Sequence, residues 1–472
     1  MKRSIPGSMQ REEVGRATTA ERATLLMKLG ISAVACFLLA LAVWQYAMPP
    51  ELTSRWGLNQ LGVEHFRGAL GVPKMRLGAA AFRWGFRGAL VAAWSGYFLL
   101  VWAALRGGKL RRSVLIAATA VLALGLAALW PASLSADVYG YVGYARLQAI
   151  HGRSPYLVTS RALVDLGDPT APFLEWDLQS PYGPAWTWLS VAVVAALRTG
   201  SLWWQVVAMK MCAASGVVLA AWAGSALAER FEAGRGTAAF VAIGYNPLFL
   251  VEAAGNGHND LVVMALVLAG LGAFARGQAF RSALIVGLAG ALKFVPLLLV
   301  PWVAMSAPSR RPRSAALGQV LLVGAAGLLP LLVTAAPFWG QGSLLDGLGA
   351  RWEAGQSALG TSPLLRAGLG VVLLGLYVAA PLLWFTRSAA EHLLSAWIIL
   401  SGTVLLASGL WFPWYLAWPW AASLTRWDRR HRTASRFLCG WAILLSLLHT
   451  VQAEAVLSPR QGTERPEVPH RA

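Results

Sequence analysis

Charge is what this chain has least of. Only 13% of its 472 residues are Asp, Glu, Lys or Arg. That is about half the share found in a soluble domain, which excludes an ordinary water-soluble fold. Cysteine is scarce too. Cys36, Cys212 and Cys439 all sit in or beside apolar runs, so there is no disulfide framework and no metal-type spacing. No phosphate-cradling glycine motif, His-Glu-x-x-His, paired cysteine or nucleophile elbow is found, and a nucleotide-driven cytosolic mechanism has no support. Acidic residues are outnumbered 21 to 40. The resulting net charge of +19 does not call for a nucleic-acid partner, because many basic residues flank apolar runs, where they set topology.

What the chain does have is hydrophobic runs. Several reach the roughly 20 residues that a bilayer-spanning helix needs. The fold class expected is an all-α polytopic integral membrane protein. A basic segment, 1–26, places the N-terminus in the cytoplasm, and a polar tail, 454–472, is expected to be disordered. Between them, the transmembrane domain covers 27–453. Spans are expected at about 27–47, 86–105, 114–131, 203–227, 236–254, 261–275, 315–335, 364–386, 392–410, 413–425 and 437–453. The run 183–197 is read as a helix lying at the surface, with both runs spanning as the alternative. Residues 49–84, 132–200 and 337–362 become outer loops, and 426–436, strongly basic, an inner one.

Residues 282–306 have basic clusters on both sides, so a single crossing breaks the charge rule. A helical hairpin of 282–292 and 296–306 resolves this, with Lys293 at its tip and Pro296 as the breaker.

The stretch 137–156, DVYGYVGYARLQAIHGRSPY, leaves the membrane after Trp130-Pro131. As a helix it sets Asp137, Tyr141, Tyr144 and Gln148 on one face, and it should end at Gly152. Either this is a site led by a carboxylate, or it is an interfacial amphipathic helix anchored by tyrosines.

Ionisable groups at membrane depth are costly and therefore candidates. Asp137, His258, Asp260, Lys293 and Arg351 all fall on the outer side of this topology. Glu252 and Lys210 rank lower. Each has a plainer reading. Asp260 can cap the helix that follows it, His258 can be a loop residue, Lys293 can snorkel, and Arg351 can be a solvated charge.

Five blocks, in order, resemble one family. They are SADVYGYVGYARLQAIHGRSPY, SPYGPAW (180–186), GNGHNDLVVMALVLAGL (255–271), ALKFVPLLLVPW (291–302) and FPWYLAWPW (412–420). Over roughly 115–425 the chain resembles GT-C glycosyltransferases that use polyprenyl-phosphate sugars. Most similar are the bacterial polyprenol-phosphomannose-dependent, α-1,6-type mannosyltransferases. The resemblance implies a GT-C-type bundle of about 11–13 transmembrane helices with the site on extracytoplasmic loops of the cell membrane, 132–200 carrying the catalytic region. It implies inverting transfer of a sugar, mannose, to a hydroxyl of a glycan, glycolipid or protein. Asp137 matches the loop aspartate that acts as base. Lys293 and Arg351 would face the donor phosphate. Tyr141, Tyr144, Tyr182, His258, Asn259 and Asp260 would bind substrate, although an aromatic belt explains the tyrosines equally well. No cofactor is implied. A single aspartate stands where the family carries an Asp-x-Asp or Glu-x-Asp pair, which leaves metal dependence open. The competing classes are a transporter or lipid flippase, marked by internal repeats and paired broken helices, and an envelope polysaccharide polymerase or ligase.

Overall fold

The computed structural model describes residues 7–47, 60–73, 77–174, 177–307, 313–358, 388–408 and 412–449, with scattered positions between 368 and 377. Every regular element among the described residues is helical. The chain is an all-α polytopic membrane protein. Among the described residues, five helices are long and apolar enough to cross a bilayer, or six if one bent pair counts as a single span.

Three of the long helices are joined through the first of them, which packs on the other two. They are α1 (Gly7–Trp44), α3 (Ala79–Leu105) and α4 (Arg112–Leu129). At the crossing of α1 and α3, small residues let the backbones approach. A Cβ on Gly30 would lie 2.9 Å from the Gly96 carbonyl oxygen, the close packing that apolar solvent favours between helices. The polar segment expected ahead of the first span continues it as helix from Gly7. The segment after it contains α2 (Gln60–Leu70), which buries Val63 and Phe66.

The site-bearing helices gather around α7 (Leu202–Phe231). Before it come α5 (Asp137–Ala149) and α6 (Pro184–Ala196). At thirteen residues α6 extends about 20 Å, too short to cross the roughly 30 Å of hydrocarbon. The span expected over 236–254 is broken into α8 (Gly236–Gly244) and α9 (Pro247–Gly255), bent by 47°. Asn246 causes the break. Its side chain accepts from the Leu248 and Phe249 amides, and Pro247 starts the next helix. The last turns of α9 are π-helical over Leu250–Gly255.

Then follow α10 (Asp260–Ala275), α11 (Ala279–Leu292), α12 (Val295–Met305) and α13 (Arg313–Ala335). The chain breaks at Lys293, whose backbone is extended, and α12 packs back on α11. Leu297 fills the space over Gly290.

Three expectations need correction. The outer loop 337–362 contains a helix, α14 (Asp346–Ala358). The span expected at 413–425 is a short 3₁₀ turn, Pro413–Leu416, followed by α16 (Ala417–Ser423). Pro413 and Pro419 keep this segment short, and eleven residues fall well below a span. It runs back along α15 (Ala389–Ser408), with the Trp397 indole donating to the Trp418 carbonyl and Arg426 meeting Glu391. The basic stretch read as an inner loop forms the first turns of α17 (Arg429–His449). Most of the span expected at 364–386 and all of the tail 454–472 lie outside the described residues.

Candidate active site

Asp137 is the first residue of α5. The chain reaches it from α4 through a fixed path. The Trp130 carbonyl, at the end of α4, accepts a hydrogen bond from Lys210, which is fully buried and also lies over the Phe66 ring. The Leu134 amide donates to the Asn256 side chain, and the Asp137 amide to the Ser135 hydroxyl. The helix ends at Ala149, and Gly152 turns the chain with φ +64°, as its glycine suggested. The interfacial-helix reading does not survive. Residues on all sides of α5 are buried, Tyr139, Tyr141, Val142 and Leu147 among them.

The loop after α5 is pinned back onto it. Arg146 donates through Nε to both oxygens of Asp168, at 3.0 and 2.9 Å, and through Nη1 to Gln205 on α7. His151 and the Thr170 amide and hydroxyl meet the same carboxylate. Burial alone would raise the Asp168 carboxyl. Its bonds to Thr170 and His151, with the Arg146 charge, bring it below its ordinary range.

The turn after α9 brings His258, Asn259 and Asp260 to this helix. Gly257, at φ +84°, makes the turn where a Cβ would press on Lys210 and Val138. His258 then stands between two carboxylates, with Nδ1 3.5 Å from Asp137 Oδ2 and Nε2 3.6 Å from Glu252 Oε2. The two approach opposite nitrogens, which makes a row rather than a cluster converging on one point. The His258 ring lies flat on Trp414, centroids 3.8 Å apart.

Asp260 does not cap α10. The capping position is Asn259, whose side chain makes no cap bond. Asp260 Oδ1 instead accepts from Lys293 Nζ at 2.7 Å and from the Trp418 indole at 2.6 Å. Lys293 also sits over the rings of Tyr415 and Trp418, so it is held in an aromatic and acidic cage rather than snorkelling.

The segment before α6 closes another side. The Gly183 amide donates to the Leu292 carbonyl at 3.0 Å, and a Cβ on Gly183 would overlap the Ala291 carbonyl. This seats the 180–183 turn on the break that carries Lys293. Tyr182 packs edge-on against Tyr141 and Tyr144. The Tyr144 hydroxyl donates to the Leu178 carbonyl. Burial pushes the Tyr141 phenol well above its usual range, with Tyr182, Asp137 and Asp260 adding to the effect. Both amide atoms of Asn259 are buried with no hydrogen-bond partner among the described residues.

Asp137, Tyr141, Tyr182, His258, Asp260 and Lys293 thus come together from α5, the 180–183 turn, the α9–α10 turn and the hairpin tip. Arg351 lies on α14, whose start packs against Gln179 and Ser180 beneath Gly347; its side chain lies outside the described residues. Sequence reasoning ranked Glu252 low and missed Trp414, Tyr415 and Trp418 as site residues. The signal available was the proline-punctuated aromatic block at 412–420. Among Glu252, His258, Asp260 and Trp414 lies a cavity of about 10 Å³, the room of one water molecule. The side chains of Asp137 and Lys293 keep 10% and 14% exposure, so a carboxylate and an ammonium each reach the surface.

Residues 25–309 match the family described as alpha-(1->6)-mannopyranosyltransferase, N-terminal domain. Alpha-(1->6)-mannopyranosyltransferase A of Mycobacterium tuberculosis is 27% identical over 404 residues, covering 74% of this chain and 73% of that protein. Alpha-(1->6)-mannopyranosyltransferase B of Corynebacterium glutamicum is 25% identical over 246 residues, covering 48% of this chain and 39% of that protein. No solved structure matches significantly. The family match covers more than half of the chain and takes in α5, the His-Asn-Asp turn and the Lys293 hairpin, and the chain belongs to the alpha-(1->6)-mannopyranosyltransferase family, a family of glycosyltransferases.

Proposed function

We propose that this protein transfers a mannosyl residue from a polyprenyl-phosphate donor to a hydroxyl of an extracytoplasmic glycan or glycolipid, with inversion at the anomeric carbon. The observation that carries this reading is the convergence of Asp137 with the Asp260–Lys293 pair, each partly open to the surface, in a chain of this family. Asp137 Oδ takes the proton of the acceptor hydroxyl as its oxygen attacks the sugar, a step that contributes roughly 100- to 10,000-fold. The bond to the lipid phosphate breaks, and the phosphate leaves as an anion beside Lys293, which stabilises the developing charge. Arg351 is proposed as a second cation there, from the position of α14. Tyr141, Tyr182 and Asn259 shape the sugar site, and Tyr144 holds the Leu178–Tyr182 segment in place. The site faces the extracytoplasmic side of the cell membrane, and the basic start of α17 faces the cytoplasm.

The test is transfer of labelled mannose from polyprenyl-phosphate mannose by the purified protein. Wild type should transfer label, and Asp137→Asn should lose at least about 100-fold with donor still bound. Near-normal turnover by Asp137→Asn would remove it as the base. Absence of transfer from this donor by wild type would sink the donor assignment.

A further inference from the structure

His258 is buried, and neither of its ring nitrogens has a hydrogen-bond partner among the described residues. The approaches to Asp137 and Glu252, at 3.5 and 3.6 Å, are too long for one. What holds the ring is its stack on Trp414, with centroids 3.8 Å apart and a 15° tilt. A stack fixes a plane. It does not fix which edge faces Asp137, since a half-turn about Cβ–Cγ keeps the plane and exchanges nitrogens for carbons. Two neighbours also lack partners. Asp260 Oδ2 and Trp414 Nε1 are buried with no hydrogen bond among the described residues. These three residues line one cavity of about 10 Å³, together with Glu252 and the apolar side chains of Leu248 and Ala417. Glu252 lines it and Asp137 does not, so Nε2 is the ring nitrogen on this side.

We infer that one ordered water fills this cavity and sets the edge that His258 turns to Asp137. The volume suits a single water, which needs two to four polar partners. The lining supplies four. The Trp414 N–H donates to the water, and the water donates to Asp260 Oδ2. His258 Nε2 donates or accepts according to its tautomer, and a water answers either. Glu252 Oε2, which takes Asn256 Nδ2 at 3.2 Å, has a lone pair left for the fourth bond. A flipped ring would turn one C–H to the water and another to Asp137, so the water disfavours it. The same water completes Asp260, whose Oδ1 already holds Lys293 and Trp418. It joins the side of Asp137 to the side of Lys293. Its kinetic effect rests on the roles proposed for those two residues; its presence does not.

Cryo-electron microscopy of the wild-type protein, at a resolution that shows ordered water, should reveal a density peak within about 2.5–3.2 Å of His258 Nε2, Asp260 Oδ2 and Trp414 Nε1. Two variants disturb it in different ways. Ala417→Val adds bulk to the cavity wall and expels the water. Trp414→Phe keeps a ring against His258 and removes the N–H. Each should lower kcat about 3- to 10-fold, the contribution of one hydrogen bond, with donor KM within about 3-fold. Because both act through one water, the double variant should lose no more than the worse single one, whereas two unrelated packing defects would multiply. If Ala417→Val cannot be recovered folded, Trp414→Phe alone supplies the kinetic test. No peak in wild type, a wild-type kcat in either variant, or losses that multiply in the double variant would each overturn the inference. If wild type transfers nothing from polyprenyl-phosphate mannose, the donor proposal fails and the density peak still decides this one.

Discussion

Replacing Lys293 with methionine should do two separable things. The first is to strand a charge. Lys293 Nζ pairs with Asp260 at 2.7 Å, and the Asp260 side chain is 2% exposed. Once the amine is gone, the described donor left to that carboxylate is the Trp418 indole. Breaking a buried pair from one side costs about 3–5 kcal/mol, and the lost contacts to Tyr415 and Trp418 add roughly 0.5–1 kcal/mol each. The sequence alone suggests a stable methionine variant; the pairing with Asp260 replaces that expectation with a destabilised one. Asp260→Asn should cost less, about 1.5–3 kcal/mol, because the amide still accepts from Trp418 and the ammonium keeps its rings and its 14% exposure. The double variant has no stranded charge. It should be more stable than Lys293→Met alone, with a coupling of about 2 kcal/mol or more between the sites. Unfolding in mixed micelles, titrated with denaturing detergent, reads the four stabilities. Transfer from labelled donor reads the second effect. The double variant should regain stability and remain nearly inactive, since the Lys293 charge no longer meets the leaving phosphate. Strict additivity of the two stability losses, or a fully active Lys293→Met enzyme, would refute the reasoning.

Gly183→Ala should lower activity by at least about tenfold without preventing insertion, because its Cβ overlaps the backbone at Ala291 and pushes the Tyr182 turn off the hairpin tip; labelled-mannose transfer together with expression level checks this. Asp168 is held below the ordinary carboxylate range, so its contribution to stability is present above about pH 4 and is lost as pH falls through its lower folded-state value. Limited proteolysis of the 150–174 loop should therefore accelerate only below about pH 4, and Asp168→Asn should show the fast rate at pH 7. On topology, with the native cysteines replaced, Leu157→Cys should react with an impermeant thiol reagent from outside intact cells and Arg436→Cys only after lysis; the reverse pattern would invert the orientation.

Much of the site was legible because it is written locally. The spacing from Asp137 to Tyr144 and the glycine at 152 define α5 and its end. A lysine and a proline set within an uncharged run define the break at Lys293. The environment of α5 was not legible, since a polar face reads the same whether it meets water or other polar side chains. Nor was the work of 413–423. Aromatic and aliphatic residues that line a site have the same hydropathy as residues that face lipid, so the segment passed for a span. The row from Asp137 through His258 to Glu252 joins two elements more than 100 positions apart, and no periodicity encodes such a meeting. Arg351 looked like a loop charge because the glycines around it hide the helical pattern of α14.

The lengths of the helices bear on how the protein is made. Four of the elements that frame the site, α6, α10, α11 and α12, run to no more than 16 residues. None alone meets the roughly 20 that a single segment needs to partition from the translocon into lipid. The long helices α1, α3, α4, α7 and α13 do meet it. During synthesis α10 would therefore enter by docking onto α7, already in place, whereas α11 and α12 would settle only once α13, which follows them in the chain, arrives to pack on them. Gly216 of α7, where a Cβ would overlap the Val262 amide, and Gly327 of α13, where one would overlap Val300, are the landing points. Substitutions there should surface in the cell as protein cleared by membrane quality control before it ever meets a substrate.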